Sequence, residues 1–141
     1  QRLEGVRSAG KARGRRRSLS VVPGDFSLEA GHAAASALLA LAQAPTAVFC
    51  FSDQMALGAL AACRDLGIRV PDQLSIVGFD DLASSSFLTP PLTTIRQPMR
   101  EIGARAVNLL LAIIERVDVP LQQTLDFSLM LRGSTAAPAA G

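Results

Sequence analysis

Apolar residues along this chain fall into short continuous runs and longer periodic stretches, separated by proline, glycine and serine. Residues 2–12 read as the end of a short amphipathic helix with Leu3 and Val6 on one side. Residues 18–23 (SLSVVP) form a strand candidate, and Ser27 is an N-cap with Glu29 in the first turn behind it. The Ala/Leu-rich stretch that follows predicts a helix to Ala44, stopped by Pro45. Residues 46–51 (TAVFCF) and 74–79 (LSIVGF) are apolar runs of strand length. Between them residues 54–66 predict a helix, capped by Asp53 and ended by Gly67 as its C′ residue.

After Asp81 the texture changes. Ser84–Ser86 is a loop, Pro90-Pro91 an extended path, and residues 93–97 (TTIRQ) a strand or crossing segment. Pro98 suits a helix's first turn. Ile102, Ala106, Leu109, Ile113 and Val117 then form one apolar stripe on a helix over 99–117, flanked by a Glu101–Arg105 pair. A last strand is expected at about 124–131, before an Ala/Pro/Gly tail expected to be disordered from 136. Strand, helix, strand at this spacing implies an α/β fold: an open parallel sheet with right-handed crossovers and helices on both faces.

Composition narrows the chemistry. The chain has 141 residues, 49% apolar and 18% charged, enough for one domain with a real core. It contains no run of 18 apolar residues, so no transmembrane helix and no membrane partner is expected. The opening has no initiator methionine and no apolar signal core, and reads as a cut through a longer protein. Cys50 and Cys63 lie in apolar runs and read as buried reduced thiols. One histidine, His32, leaves little room for a zinc site or histidine catalysis. Without Trp or Tyr, an aromatic platform for nucleic acid is not expected.

Net charge is +2 but lopsided. Arg2, Arg7, Lys11, Arg13, Arg15, Arg16 and Arg17 crowd the first 18 residues against Glu4 alone. Such a run could meet phosphate; without a groove-reading motif it reads as a solvated helix end and loop.

Ligands of an open parallel sheet bind beyond the carboxyl ends of its strands. Asp25 and Phe26, Ser52 and Asp53, and Asp80 and Asp81 each follow a strand candidate, so they should converge on one edge. Paired acids could hold Mg²⁺, but neighbouring strand residues point to opposite faces and no phosphate loop accompanies them. A carboxylate accepting two hydroxyls of a polyol fits better. Phe26 could cover the apolar face of a sugar or base ring. Ser84–Ser86 lacks a base, which argues against a serine hydrolase. No catalytic residue, metal or cofactor is expected. Helix 54–66 is apolar nearly all round, hence wholly buried or shared with another subunit.

Residues 45–97, PTAVFCFSDQMALGALAACRDLGIRVPDQLSIVGFDDLASSSFLTPPLTTIRQ, resemble the LacI/GalR transcription regulators. An apolar strand ending in Ser-Asp, a Met-Ala-x-Gly-Ala helix and a Gly-Ile-x-Val-Pro turn come in order. The Ile-x-Gly-Phe-Asp-Asp strand and the Pro-x-Leu-Thr-Thr-Ile-x-Gln crossing follow. Gly24-Asp25-Phe26 and Arg2-Leu3-x-Gly5 extend the likeness to nearly the whole chain.

The resemblance implies the C-terminal subdomain (1–135) of a periplasmic-binding-protein-like effector domain. It implies that helix 99–117 packs on an N-terminal subdomain outside this chain. Effector contacts would fall on Arg2, Phe26, Ser52, Asp80 and Gln97, the effector being a sugar or related molecule. A homodimer through helix 54–66 and loop 83–88 is implied too, with operator DNA bound only by an absent helix-turn-helix. The regulator would be cytoplasmic, allosteric and not an enzyme. The rival readings are a periplasmic sugar-binding protein of a transporter and a Mg²⁺ enzyme using Asp80 and Asp81. The basic stretch Lys11–Arg17 is not a usual feature of the family.

Overall fold

The computed structural model describes residues 2–12 and 19–137. Ser18, Arg13–Arg17 of the basic stretch and residues 138–141 of the expected tail lie outside them. The elements are α1 (Arg2–Ala12), α2 (Leu28–Leu39), β1 (Ala47–Phe49), α3 (Asp53–Asp65), β2 (Ser75–Asp80), β3 (Thr93–Arg96), α4 (Met99–Ile114) and β4 (Ser128–Met130). A 3-10 turn, Ala83–Ser86, lies between β2 and β3. The sheet is open, in the order β1-β2-β3-β4.

The first two pairings are parallel, as expected, and β3–β4 is antiparallel, so the sheet is mixed. The reason is where the chain re-enters. It leaves β3 at the carboxyl edge, runs through α4, and returns at that same edge with Ser128 opposite Arg96. A strand that starts beside its neighbour's end must run the other way.

The core lies between α3 and one sheet face. Ala56, Ala59, Ala62 and Cys63 of α3 meet Ile76, Leu74 and Leu92, with Ala35 and Cys50 beside them. Burial pushes the Cys50 thiol up to about 12, with Cys63 and Asp53 adding to it, so it stays protonated. Both cysteines are free and buried.

Helices α2 and α3 approach until backbone meets backbone. A Cβ on Gly58 would stand 2.0 Å from the Leu28 carbonyl oxygen, and one on Gly31 2.2 Å from that of Met55. Helix α3 ends in a Schellman motif, with Ile68 N–H on Cys63 O, Gly67 N–H on Arg64 O, and Gly67 at φ +68°.

Several expectations are corrected. Helix α2 stops at Leu39 rather than Ala44, because beyond it Ala40–Ala44 are exposed and an apolar face without a partner does not sustain a helix. Residues 19–23 form no strand. They border, with Ala47–Phe51, a hollow of about 1570 Å³ and join no ladder of the sheet. The last strand shrinks from 124–131 to Ser128–Met130, the length that faces β3. Helix α4 closes at Ile114, where Arg116 at φ +59° and Val117 N–H on Ala112 O make a second Schellman turn. Of the expected stripe, Ile102 and Leu109 are half-buried while Ile113 and Val117 are exposed. Ala136 donates its N–H to Ser75 Oγ.

Alanine normally exceeds glycine inside a helix by about 1 kcal/mol. At Gly58 the clash is with backbone, and overpacking costs about 1–3 kcal/mol. Gly58→Ala is therefore expected to destabilise the protein on balance, read as a lower urea midpoint at unchanged slope.

Candidate ligand site at the carboxyl edge of the sheet

Arg2, the first residue of α1, lies over the Phe79 ring with its guanidinium carbon 3.9 Å from the centroid. It also donates to the Phe51 carbonyl oxygen. Phe79 is part of an aromatic group, since Phe49 meets Phe51 edge-on at 5.4 Å and Phe79 at 6.4 Å. Strand alternation places Phe49 and Phe79 together on the face away from α3. A concavity of about 960 Å³ opens there, lined among others by Arg2, Phe79, Ile95, Gln97 and Ile102.

Asp80 ends β2 and its Oδ1 accepts from Gln97 Nε2 at 2.7 Å; no hydrogen bond reaches Oδ2 among the described residues. Gln97 follows β3 directly, and Asp80 is in register with Arg96. Asp80, Gln97, Arg2 and Phe79 therefore occupy one edge. Asp80 and Asp81 have φ of +117° and +56°. Left-handed backbone costs roughly 1–3 kcal/mol at a non-glycine residue and persists only where the surroundings over-determine it.

Asp81 is held elsewhere. Its carboxylate, only 6% exposed, accepts from Arg96 Nε at 2.5 Å and from Arg132 at 2.6 Å. Burial pushes its pKa up, but the hydrogen bonds and charges of the two arginines outweigh this and hold it below the usual carboxylate range. The acidic pair is thus divided between two tasks.

Phe26 stands apart from this group. Its φ is +69° and its ring is 56% exposed, facing the hollow beside β1. The backbone is held by Asp25, whose Oδ1 accepts from both the Ser27 N–H and hydroxyl. Those bonds keep the Asp25 carboxyl below its ordinary pKa.

Ser52 is buried, and its Oγ accepts the Met55 N–H at 3.2 Å, so Ser52 rather than Asp53 caps α3. Asp53 is the first helical residue and points inward. It is 2% exposed and accepts from Leu82 N–H at 2.8 Å, Ser85 Oγ at 2.5 Å and Thr94 Oγ1 at 2.5 Å. Gly78 makes room for it, since a Cβ there would lie 2.3 Å from Asp53 Oδ1.

Sequence reasoning missed Phe49, Phe51 and Phe79 as the bed of Arg2, and Arg96 and Arg132 as partners of Asp81. The phenylalanines could have been found from their alternation at two adjacent strand ends. Arg132 could not, because only the β3–β4 pairing brings it there.

The sequence profile of the periplasmic binding protein-like domain matches residues 1–135. The chain belongs to that family. It is similar to the HTH-type transcriptional repressor CytR of Escherichia coli K12, at 49% identity over 83% of this chain and 35% of the repressor. Among solved structures it resembles the Lac repressor dimer bound to operator and the anti-inducer ONPF, with TM-score 0.89 and 37% identity over 96% of this chain and 47% of that one. A CelR–cellobiose complex matches with TM-score 0.87 and 37% identity, over 94% of this chain and 41% of that one. The chain spans about a third of the length of the repressor relatives it matches. The expected likeness to LacI-type regulators is borne out.

Two outcomes follow. Asp53→Ala strands three donors, each worth roughly 1–3 kcal/mol when buried and unpaired. It is expected to destabilise by about 3 kcal/mol or more in chemical denaturation. Because the Asp81 pKa is depressed on folding, its contribution is complete above about pH 4 and lost as pH falls through the folded value. The urea midpoint of the native protein should therefore drop more steeply between about pH 5 and pH 3 than that of Asp81→Asn.

Proposed function

We propose that this chain is the C-terminal effector-sensing subdomain of a LacI-type transcription regulator, and that it binds a sugar or sugar-like molecule without making or breaking a bond. The observation that carries this reading is Asp80. One oxygen is fixed by Gln97 and, among the described residues, no hydrogen bond reaches the other, while Arg2 rests on the Phe79 ring of the same strand. A carboxylate so oriented accepts from a hydroxyl or ring N–H, while Arg2 donates to ligand oxygens. Phe26, exposed to the hollow beside β1 and apart from Asp80 and Gln97, would wall the ligand from that side, and Ser52 lies at the neighbouring strand end.

Solved relatives hold cellobiose, lactose and ribose. Similarity to DNA-binding repressors favours a regulator over a transport component. A cytoplasmic location accompanies that role. Residues 1–135 make up the subdomain, and α4 serves the N-terminal one. Its outer side, with Leu110, Leu111 and Ile114 about half exposed or more, suits such a partner. Helix 54–66 and loop 83–88 form the dimer face, where Phe87 is 86% exposed and Leu66 and Leu82 are exposed as well. Effector in the cleft favours one orientation of the subdomains, and so one spacing of the paired DNA-binding heads that reach the operator.

Thermal shift of the full-length protein tests this. Cellobiose, lactose or ribose is expected to raise the midpoint saturably, by linkage to the folded state. Asp80→Ala and Arg2→Ala should each abolish the shift. A shift unaffected by both substitutions would place the ligand elsewhere.

A further inference from the structure

We infer that Asp81 is a positioning residue of the effector site: with Arg96 and Arg132 it staples the two chain crossings to the end of β2 and thereby aims Asp80. This rests on the reading of Asp80 as the effector-binding carboxylate.

Each oxygen of Asp81 takes one guanidinium, and the two arginines come from opposite sides of α4 in the chain. Arg96 ends β3, immediately before Gln97, Pro98 and the start of α4. Arg132 comes just after β4, the strand on which the chain returns. Arg132 is itself fixed, donating from its other terminal nitrogen to Leu92 O at 2.8 Å and from its N–H to Thr93 Oγ1 at 3.0 Å. The ends of β2, β3 and β4 are thus joined through one buried carboxylate.

Asp80 depends on this joint in two ways. With Asp81 drawn to the arginines, the Asp80 side chain is left to Gln97, which meets its Oδ1. The left-handed backbone at both residues also needs an anchor, and the paired guanidiniums supply it. No residue of α4 is buried, so its orientation relative to the sheet is set largely at the crossings. Exposed ion pairs contribute little, but here the carboxylate is buried and Arg132 is 17% exposed. With both oxygens engaged, Asp81 is not itself an effector contact.

Amide hydrogen exchange of the full-length protein tests the staple, comparing wild type, Asp81→Asn, Arg132→Gln and the double variant. Exchange in Gln97–Ile102 and Phe127–Leu131 should rise at least about tenfold in each single variant, with α3 and β1 unchanged. The double variant should go no further, because the two residues act as one unit. Arg132→Lys, which keeps the charge, should fall between and serves should Asp81→Asn fail to fold. Unchanged exchange at the crossings, or an equal rise in α3 and β1, would overturn the proposal. Titration with cellobiose adds a second readout. Asp81→Asn should raise the half-saturating concentration at least about tenfold and keep the maximal shift, which Asp80→Ala loses. Half-saturation equal to wild type would also overturn it. A wild-type protein indifferent to cellobiose, lactose and ribose would count against the effector reading, and the exchange comparison would still decide the staple.

Discussion

A carboxylate taken out of water loses several kcal/mol of hydration unless donors converge on it, and Asp53 is almost wholly buried where three do. Those donors come from the turn after β2 and from β3, while Asp53 itself opens α3. One side chain therefore fixes helix, turn and strand together. The positive end of the α3 dipole lies at the same place and favours the charge. Gly78 keeps the strand between them thin enough for the carboxylate to sit against it. Had Asp53 been only the cap, the turn at Ala83–Ser86 would hang on its own short backbone bonds.

Around that point the sheet edge divides its polar groups by what they can reach. Asp80 meets Gln97, Asp81 meets two arginines, and Arg2 lies on Phe79. Cation–π contact and a carbonyl acceptor hold Arg2 without neutralising it, so it can still donate to a ligand. A direct ion pair with Asp80 would have cancelled both groups. Keeping the acceptor and the cation on separate supports leaves each available to a molecule that carries hydroxyls.

The elements legible in the sequence were those whose own residues specify them. Ser27, Gly67 and the apolar runs at 46–51 and 74–79 announce caps and buried strands by local chemistry alone. Boundaries set by a distant partner were not legible. Helix α2 ends where it runs past α3, and β4 runs antiparallel because of where the chain re-enters. The site was half readable on the same principle. Asp80 was legible as a strand-end residue, whereas Gln97, which hydrogen-bonds it, entered only through the family resemblance. The cap of α3 fell to Ser52 instead of Asp53, because either residue can cap a helix and only the packing of β3 and the turn after β2 shows that the Asp53 carboxylate is buried. Arg132, 51 residues beyond Asp81, was out of reach of any local pattern.

The small residues of α2 and α3 carry a further consequence. Gly31, Gly58 and the alanines of α3 bring two helix backbones into contact, and dense packing of this kind resists deformation. Helix α4 has the opposite character, with no buried residue and a broad apolar surface. If a ligand binds at the edge between them as proposed, it meets one body that cannot yield and one that can be reoriented. Displacement at Asp80 and Gln97 should pass into α4 rather than into the α2–α3 pair, because the crossing strands are short and the helix is held by little else. Rigid packing on one side of the site and a lightly held helix on the other are what a sensor needs to turn binding into a change of orientation.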